Sequence, residues 1–131
     1  MIAHLSQQSV PQHLTILVVE DNYILRSTAS EYFCGAGCRV LEADSGEDAI
    51  SLFSEHPEID VVFTDIQLAG PLNGWDVGEA CRGARPAIAV IYASGACGED
   101  RRPVAGSRFF NKPYLPEVVL DACRGLCNGV H

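Results

Sequence analysis

Several apolar runs in this chain end in side chains that can hold a cation or handle a phosphoryl group. Ile16-Leu17-Val18-Val19 leads into Glu20-Asp21, and Val61-Val62-Phe63-Thr64 leads into Asp65. Ile88 to Ala93 leads into Ser94, and Phe109-Phe110-Asn111 leads into Lys112. If the runs are neighbouring parallel strands, their carboxyl ends share one edge, where open α/β sheets carry their sites. Three carboxylates, a hydroxyl and an ammonium would then converge. A carboxylate can attack phosphorus to form an aspartyl phosphate, and such transfer needs mainly positioning and charge neutralisation. Asp65 is the candidate nucleophile. Glu20, Asp21 and Asp65, with the backbone carbonyl of Gln67, are candidate ligands for a hard ion such as Mg²⁺ (or Mn²⁺).

Lys112 can pair with the carboxylates before reaction and with a phosphoryl oxygen after it, to which Ser94 can also donate. Without a cation, three crowded carboxylates repel one another and at least one pKa rises. An isolated Asp after a strand is usually a turn residue, and Lys112-Pro113 alone says as little. The set in this order, on four strand ends, is far more specific.

The elements that must position these residues alternate between strand-like and helix-like patterns, the signature of a parallel sheet covered by helices. Strands are expected at about Thr15 to Val19, Cys38 to Ala43, Asp60 to Thr64, Ala87 to Ala93 and Arg108 to Asn111. A first helix carries Ile24, Leu25, Thr28, Ala29, Tyr32 and Phe33 as its apolar stripe and stops at Gly35-Ala36-Gly37. Ser45 and Asp48 resemble a capping box opening a second helix with Ala49, Ile50, Leu52 and Phe53. A third follows the loop Leu68 to Gly74 and turns Val77, Ala80, Cys81 and Ala84 inward. Ser94 to Ser107 holds Gly95, Gly98, Pro103 and Gly106 and no helical stripe, so a turn or short irregular segment is expected. The last helix begins near Pro116, with Leu115, Val118, Val119, Ala122, Cys123 and Leu126 on its stripe.

A length of 131 residues fits one domain at 14–131, behind a polar, flexible N-terminal extension at 1–13. The formal charge of −8 argues against a nucleic-acid surface, and no apolar stretch approaches a membrane span. The six cysteines include no CxxC pair and accompany no secretion signal, which fits reduced thiols in the cytoplasm. His4, His13, His56 and His131 have no ligand spacing. Trp75 is expected to pack near the site rather than react.

Across Leu14 to Leu126 the chain resembles the receiver domain of two-component response regulators. The matching residues are Leu17-Val18-Val19-Glu20-Asp21-Asn22, Phe63-Thr64-Asp65, Ala93-Ser94-Gly95 and Asn111-Lys112-Pro113-Tyr114. The resemblance implies a flavodoxin-like, doubly wound, five-stranded parallel sheet of order 2-1-3-4-5. It makes Asp65 the phosphoacceptor, Glu20 and Asp21 the acidic metal pair, Ser94 the switch hydroxyl and Lys112 its cationic partner. Phe109 falls at the aromatic switch position, and the Lys112–Pro113 bond is expected cis. There are three departures. Ala69 stands where many receivers have proline, the family's fourth helix is short or absent, and Phe109 offers no hydroxyl.

The function implied is a stand-alone, single-domain signalling phosphoacceptor rather than a conventional enzyme. It would take its phosphoryl group from a sensor histidine kinase or histidine phosphotransfer protein, dephosphorylate itself slowly, and act on an unknown downstream protein. Neither nucleic acid nor membrane is an expected partner. A haloacid-dehalogenase-type phosphatase would need a second Asp at Gln67. A flavodoxin relative would need a phosphate loop where Glu20-Asp21 stands. A non-phosphorylated pseudo-receiver is the remaining alternative.

Overall fold

In the computed structural model, β1 (Thr15–Val19), β2 (Arg39–Ala43), β3 (Val61–Asp65), β4 (Ala89–Ser94) and β5 (Arg108–Asn111) form one parallel sheet, ordered β2-β1-β3-β4-β5. The structure describes residues 13–96 and 100–128. The expected N-terminal extension, apart from His13, therefore lies outside the described residues. The three central strands are buried along their whole length, as continuous Val/Ile-rich runs require when helices cover both faces.

Alternation along each strand divides the core in two. Leu17, Val19, Val62, Val90 and Tyr92 face helices α2 (Gly46–Glu55) and α3 (Gly74–Ala84). Ile16, Val18, Val61, Phe63 and Ile91 face α1 (Tyr23–Gly35) and the last helix, α4 (Pro116–Asn128). This is the flavodoxin-like arrangement. The Lys112–Pro113 bond is cis.

Register aligns the strand ends. Val19 pairs with Thr64, so Glu20 comes beside Asp65; Asp65 pairs with Ala93, just before Ser94; Ser94 pairs with Asn111, just before Lys112.

Side-chain caps start three helices: Asn22 accepts from Leu25 N–H, Ser45 from Asp48 N–H, and Asn73 from Asp76 N–H. The reciprocal capping box is at Asn73 and Asp76, whereas Ser45 forms only its own half of the expected one. The inward face of α3 also differs from expectation. Ala80 and Ala84 are exposed, and Trp75, Val77, Gly78 and Cys81 are buried. Gly78 is what lets α3 approach: a Cβ there would lie 2.3 Å from the Tyr92 hydroxyl. On α1 only Ala29 and Phe33 of the expected stripe are buried, leaving Ile24, Leu25, Thr28 and Tyr32 exposed. Leu115 and Val118 are likewise exposed.

Among the described residues no helix separates β4 from β5. The 100–107 segment is instead pinned by individual bonds. Val104 N–H donates to the Tyr92 hydroxyl (3.2 Å), and Arg82 Nη1 donates to the Ala105 carbonyl (2.7 Å). Arg102 pairs with Asp76 at 2.7 Å and Glu79 at 3.4 Å.

Candidate functional site

Glu20, Asp21, Asp65 and Lys112 meet at the carboxyl edge of the sheet, between β1 and β3, where the strand order reverses. Glu20 extends β1 by one step, its N–H bonded to the Ala43 carbonyl at 3.0 Å, and its side chain is buried. Its Oε1 accepts from Lys112 Nζ at 2.7 Å and its Oε2 from Asn22 N–H at 3.1 Å. Asp21 is exposed, and its Oδ2 accepts from Ala69 N–H at 3.1 Å. Ala69 thus ties the loop after β3 to an acid of the site, through a donor that proline lacks.

Asp65 is 7% exposed. Its Oδ1 lies 3.3 Å from Lys112 Nζ, within ion-pair range, yet has no aligned hydrogen-bond donor. Burial pushes its pKa up to about 6, Glu20 adds to the rise, and Lys112 offsets part of it. Burial pulls Lys112 the other way, but the Glu20 hydrogen bond and the Asp65 charge outweigh it and leave its pKa raised.

One oxygen from each of Glu20, Asp21 and Asp65 lies within 4.8 Å of the others. An all-oxygen acidic trio that includes a buried, unbonded acceptor suits a hard divalent ion. Gln67 is exposed two residues beyond Asp65.

Ser94 is buried at the end of β4 but is turned onto its own loop. Its hydroxyl donates to the Ala96 carbonyl (2.8 Å) and accepts from Ala96 N–H (3.1 Å). Phe109 stacks on Trp75, with ring centres 6.3 Å apart and planes at 18°. Four of the expected residues therefore gather at one point, while Ser94 and Phe109 stand to one side, toward β5.

Sequence reasoning passed over three supports. Asn22 and Ala69 orient the two acids through backbone N–H groups, which side-chain patterns do not reveal. Gly74 packs so closely under Asp65 that a Cβ there would lie 2.2 Å from the Asp65 carbonyl oxygen. The Asn73-Gly74 pair was a visible signal, although it reads only as a turn.

Comparison with known proteins agrees with this geometry. The family model described as the response regulator receiver domain matches residues 16–122. The chain is 28% identical to the autoinducer 1 sensor kinase/phosphatase LuxN of Vibrio campbellii over 88 residues, 67% of this chain and 10% of that protein. It is 28% identical to the aerobic respiration control protein ArcA of Escherichia coli over 115 residues, 85% of this chain and 47% of that protein. The chain thus spans less than half the length of either relative. A response regulator receiver protein from Sinorhizobium medicae superposes with a TM-score of 0.84 at 29% identity, covering 90% of this chain and 97% of that one. The receiver domain of the hybrid histidine kinase CckA gives a TM-score of 0.76 at 27% identity, covering 87% and 99%. With a family match across most of its length and the same sheet order, this chain belongs to the response regulator receiver domain family.

Proposed function

We propose that this receiver takes a phosphoryl group onto Asp65 from a sensor histidine kinase or a histidine phosphotransfer protein, in a Mg²⁺-dependent reaction. The observation that carries this reading is the buried, unbonded Asp65 Oδ1 between two further acids and Lys112. An Asp65 oxygen would attack the phosphorus of the donor's phosphohistidine. The P–N bond breaks, its electron pair stays on the imidazole, and that ring takes up a proton. Glu20, Asp21, Asp65 and the Gln67 carbonyl would hold the Mg²⁺, which when bound neutralises charge on the carboxylates and the phosphoryl oxygens. Lys112 offers its ammonium to a phosphoryl oxygen, and Ser94, once released from Ala96, donates to another.

The same residues support self-phosphorylation from small donors and slow hydrolysis by water passing Gln67 and Ala96. Output passes to a downstream protein through the 100–107 segment and Phe109. A non-phosphorylated interaction module is the weaker reading, because nucleophile, acids and lysine are all in place. The receiver domain, from about residue 14, would work in the cytoplasm beside its donor.

The donor's docking surface borders the site. Tyr23, Ile24 and Leu25 of α1 and Leu115 and Val118 near α4 are exposed apolar residues. An apolar cleft lined by Leu25, Thr28, Pro113, Tyr114 and Pro116 also has Lys112 in its wall, which makes it continuous with the reaction centre. Incubation with a panel of ³²P-labelled histidine kinases tests the reading. Label should pass to the wild type from at least one kinase and never to Asp65→Asn. Leu25→Glu should lose most transfer from the kinase while still reacting with a small-molecule donor. Label retained on Asp65→Asn would overturn the assignment.

A further inference from the structure

We propose that Arg101 is a second cationic ligand for the phosphoryl group on Asp65, held in reserve against the ring of Phe109. The inference rests on the phosphoacceptor reading and adds a residue to that site.

Arg101, Ser94 and Gln67 line one small cavity of about 50 Å³, walled by Trp75 and Phe109. Its guanidinium carbon sits 4.2 Å from the Phe109 ring centre. Among the described residues Arg101 has no ion pair and no hydrogen bond. Other cations are paired: Arg102 is held by Asp76 and Glu79, Arg26 by Glu42, and Lys112 by Glu20 and Asp65. An arginine stacked on an aromatic ring with no carboxylate partner among the described residues, in a chain of net charge −8, is a cation available to an anion.

Charge balance supplies the anion. The three carboxylates of the site are neutralised by Lys112 and a divalent ion together. Phosphorylation replaces the singly charged Asp65 with a group carrying up to two negative charges, leaving one without a partner. Ser94 can supply a hydrogen bond but no charge. The guanidinium fork matches phosphate oxygens in geometry, and a cation–π contact at an exposed position is the weaker of its two options.

The remodelled segment is what puts Arg101 there. Arg102 anchors it to α3, and Val104 and Ala105 are held by Tyr92 and Arg82. The base of the Arg101 side chain is thereby fixed at the cavity rim. Movement of the guanidinium from Phe109 to the phosphoryl group would uncover the Phe109 ring. Charge at Asp65 would so be converted into a change of surface without a tyrosine hydroxyl.

The test is calorimetric titration with beryllofluoride, a phosphoryl mimic, in saturating Mg²⁺. Wild type is compared with Arg101→Ala, Arg101→Lys and Arg108→Ala. Arg101 is exposed, so its replacement leaves the core intact. Arg101→Ala should bind about tenfold more weakly, and Arg101→Lys should recover part of the loss. Arg108→Ala, which removes the guanidinium over Phe110, should match wild type. Wild-type affinity in Arg101→Ala, or an equal loss in Arg108→Ala, would overturn the role of Arg101 alone. No binding by the wild type would overturn the phosphoacceptor reading and this inference with it.

Discussion

Asp65→Asn is expected to stabilise the metal-free protein at pH 7.5 by about 1–3 kcal/mol, raising Tm by roughly 4–12 °C. The Asp65 carboxyl has its folded-state pKa raised from 3.8 to about 6, first by burial and then by Glu20. A raised acid pKa means that the folded state binds the proton more tightly than the unfolded chain does. Ionisation therefore costs stability. The cost is complete above about pH 6 and fades as pH falls toward 4. Asparagine keeps the shape and removes the charge, so the gain should be large at pH 7.5 in chelator and shrink by pH 4.5. Mg²⁺ should narrow the difference, because it binds and stabilises the wild type. Thermal melts at the two pH values check this. A variant less stable than wild type at pH 7.5, or a pH-independent gain, would contradict the electrostatic account of the site.

Lys112→Met should cut the rate of phosphoryl uptake by about 10²–10³ while leaving Mg²⁺ binding in place. Lys112 Nζ reaches both Glu20 Oε1 (2.7 Å) and Asp65 Oδ1 (3.3 Å). Its raised pKa keeps it charged through the working pH range, so under the proposed reaction it would face the phosphoryl oxygens as a fixed positive charge. Methionine fills the same space without the charge, and the transition-state oxygens lose their protein cation. The acids proposed to hold the metal are untouched, so Trp75 fluorescence should still report Mg²⁺. A near-wild-type rate of adduct formation would remove Lys112 from the mechanism.

The strand ends were legible because β1, β3 and β4 are uninterrupted apolar runs, each followed or ended by a polar residue singled out from the sequence. Parallel register then brings Glu20, Asp21, Asp65 and Lys112 together without further information. Helix faces were harder to read. Periodicity places Ala80 and Ala84 near the buried stripe of α3, but the contact of Gly78 with Tyr92 rotates the docked face toward Trp75 and Val77. The stripe of α1 is wider than the seam it buries, so Ile24, Leu25 and Tyr32 are left exposed.

Ser94 and Phe109, expected from the sequence as switch residues, have local partners. Ser94 bonds to Ala96, and Phe109 contacts both Trp75 and Arg101. No spacing rule encodes such contacts, because they depend on how an irregular segment closes over the sheet. Arg101 was visible in the sequence only as one of two adjacent arginines.

Intact-mass measurement after incubation with a small-molecule phosphodonor tests the central claim most directly. Wild type with Mg²⁺ is compared with wild type in chelator and with Asp65→Asn in Mg²⁺. A single phosphoryl adduct that appears only in the first sample is the predicted result. An adduct that persists in chelator or on Asp65→Asn would contradict the account. So would no adduct from either a small-molecule donor or a phosphorylated histidine kinase while Mg²⁺ binds.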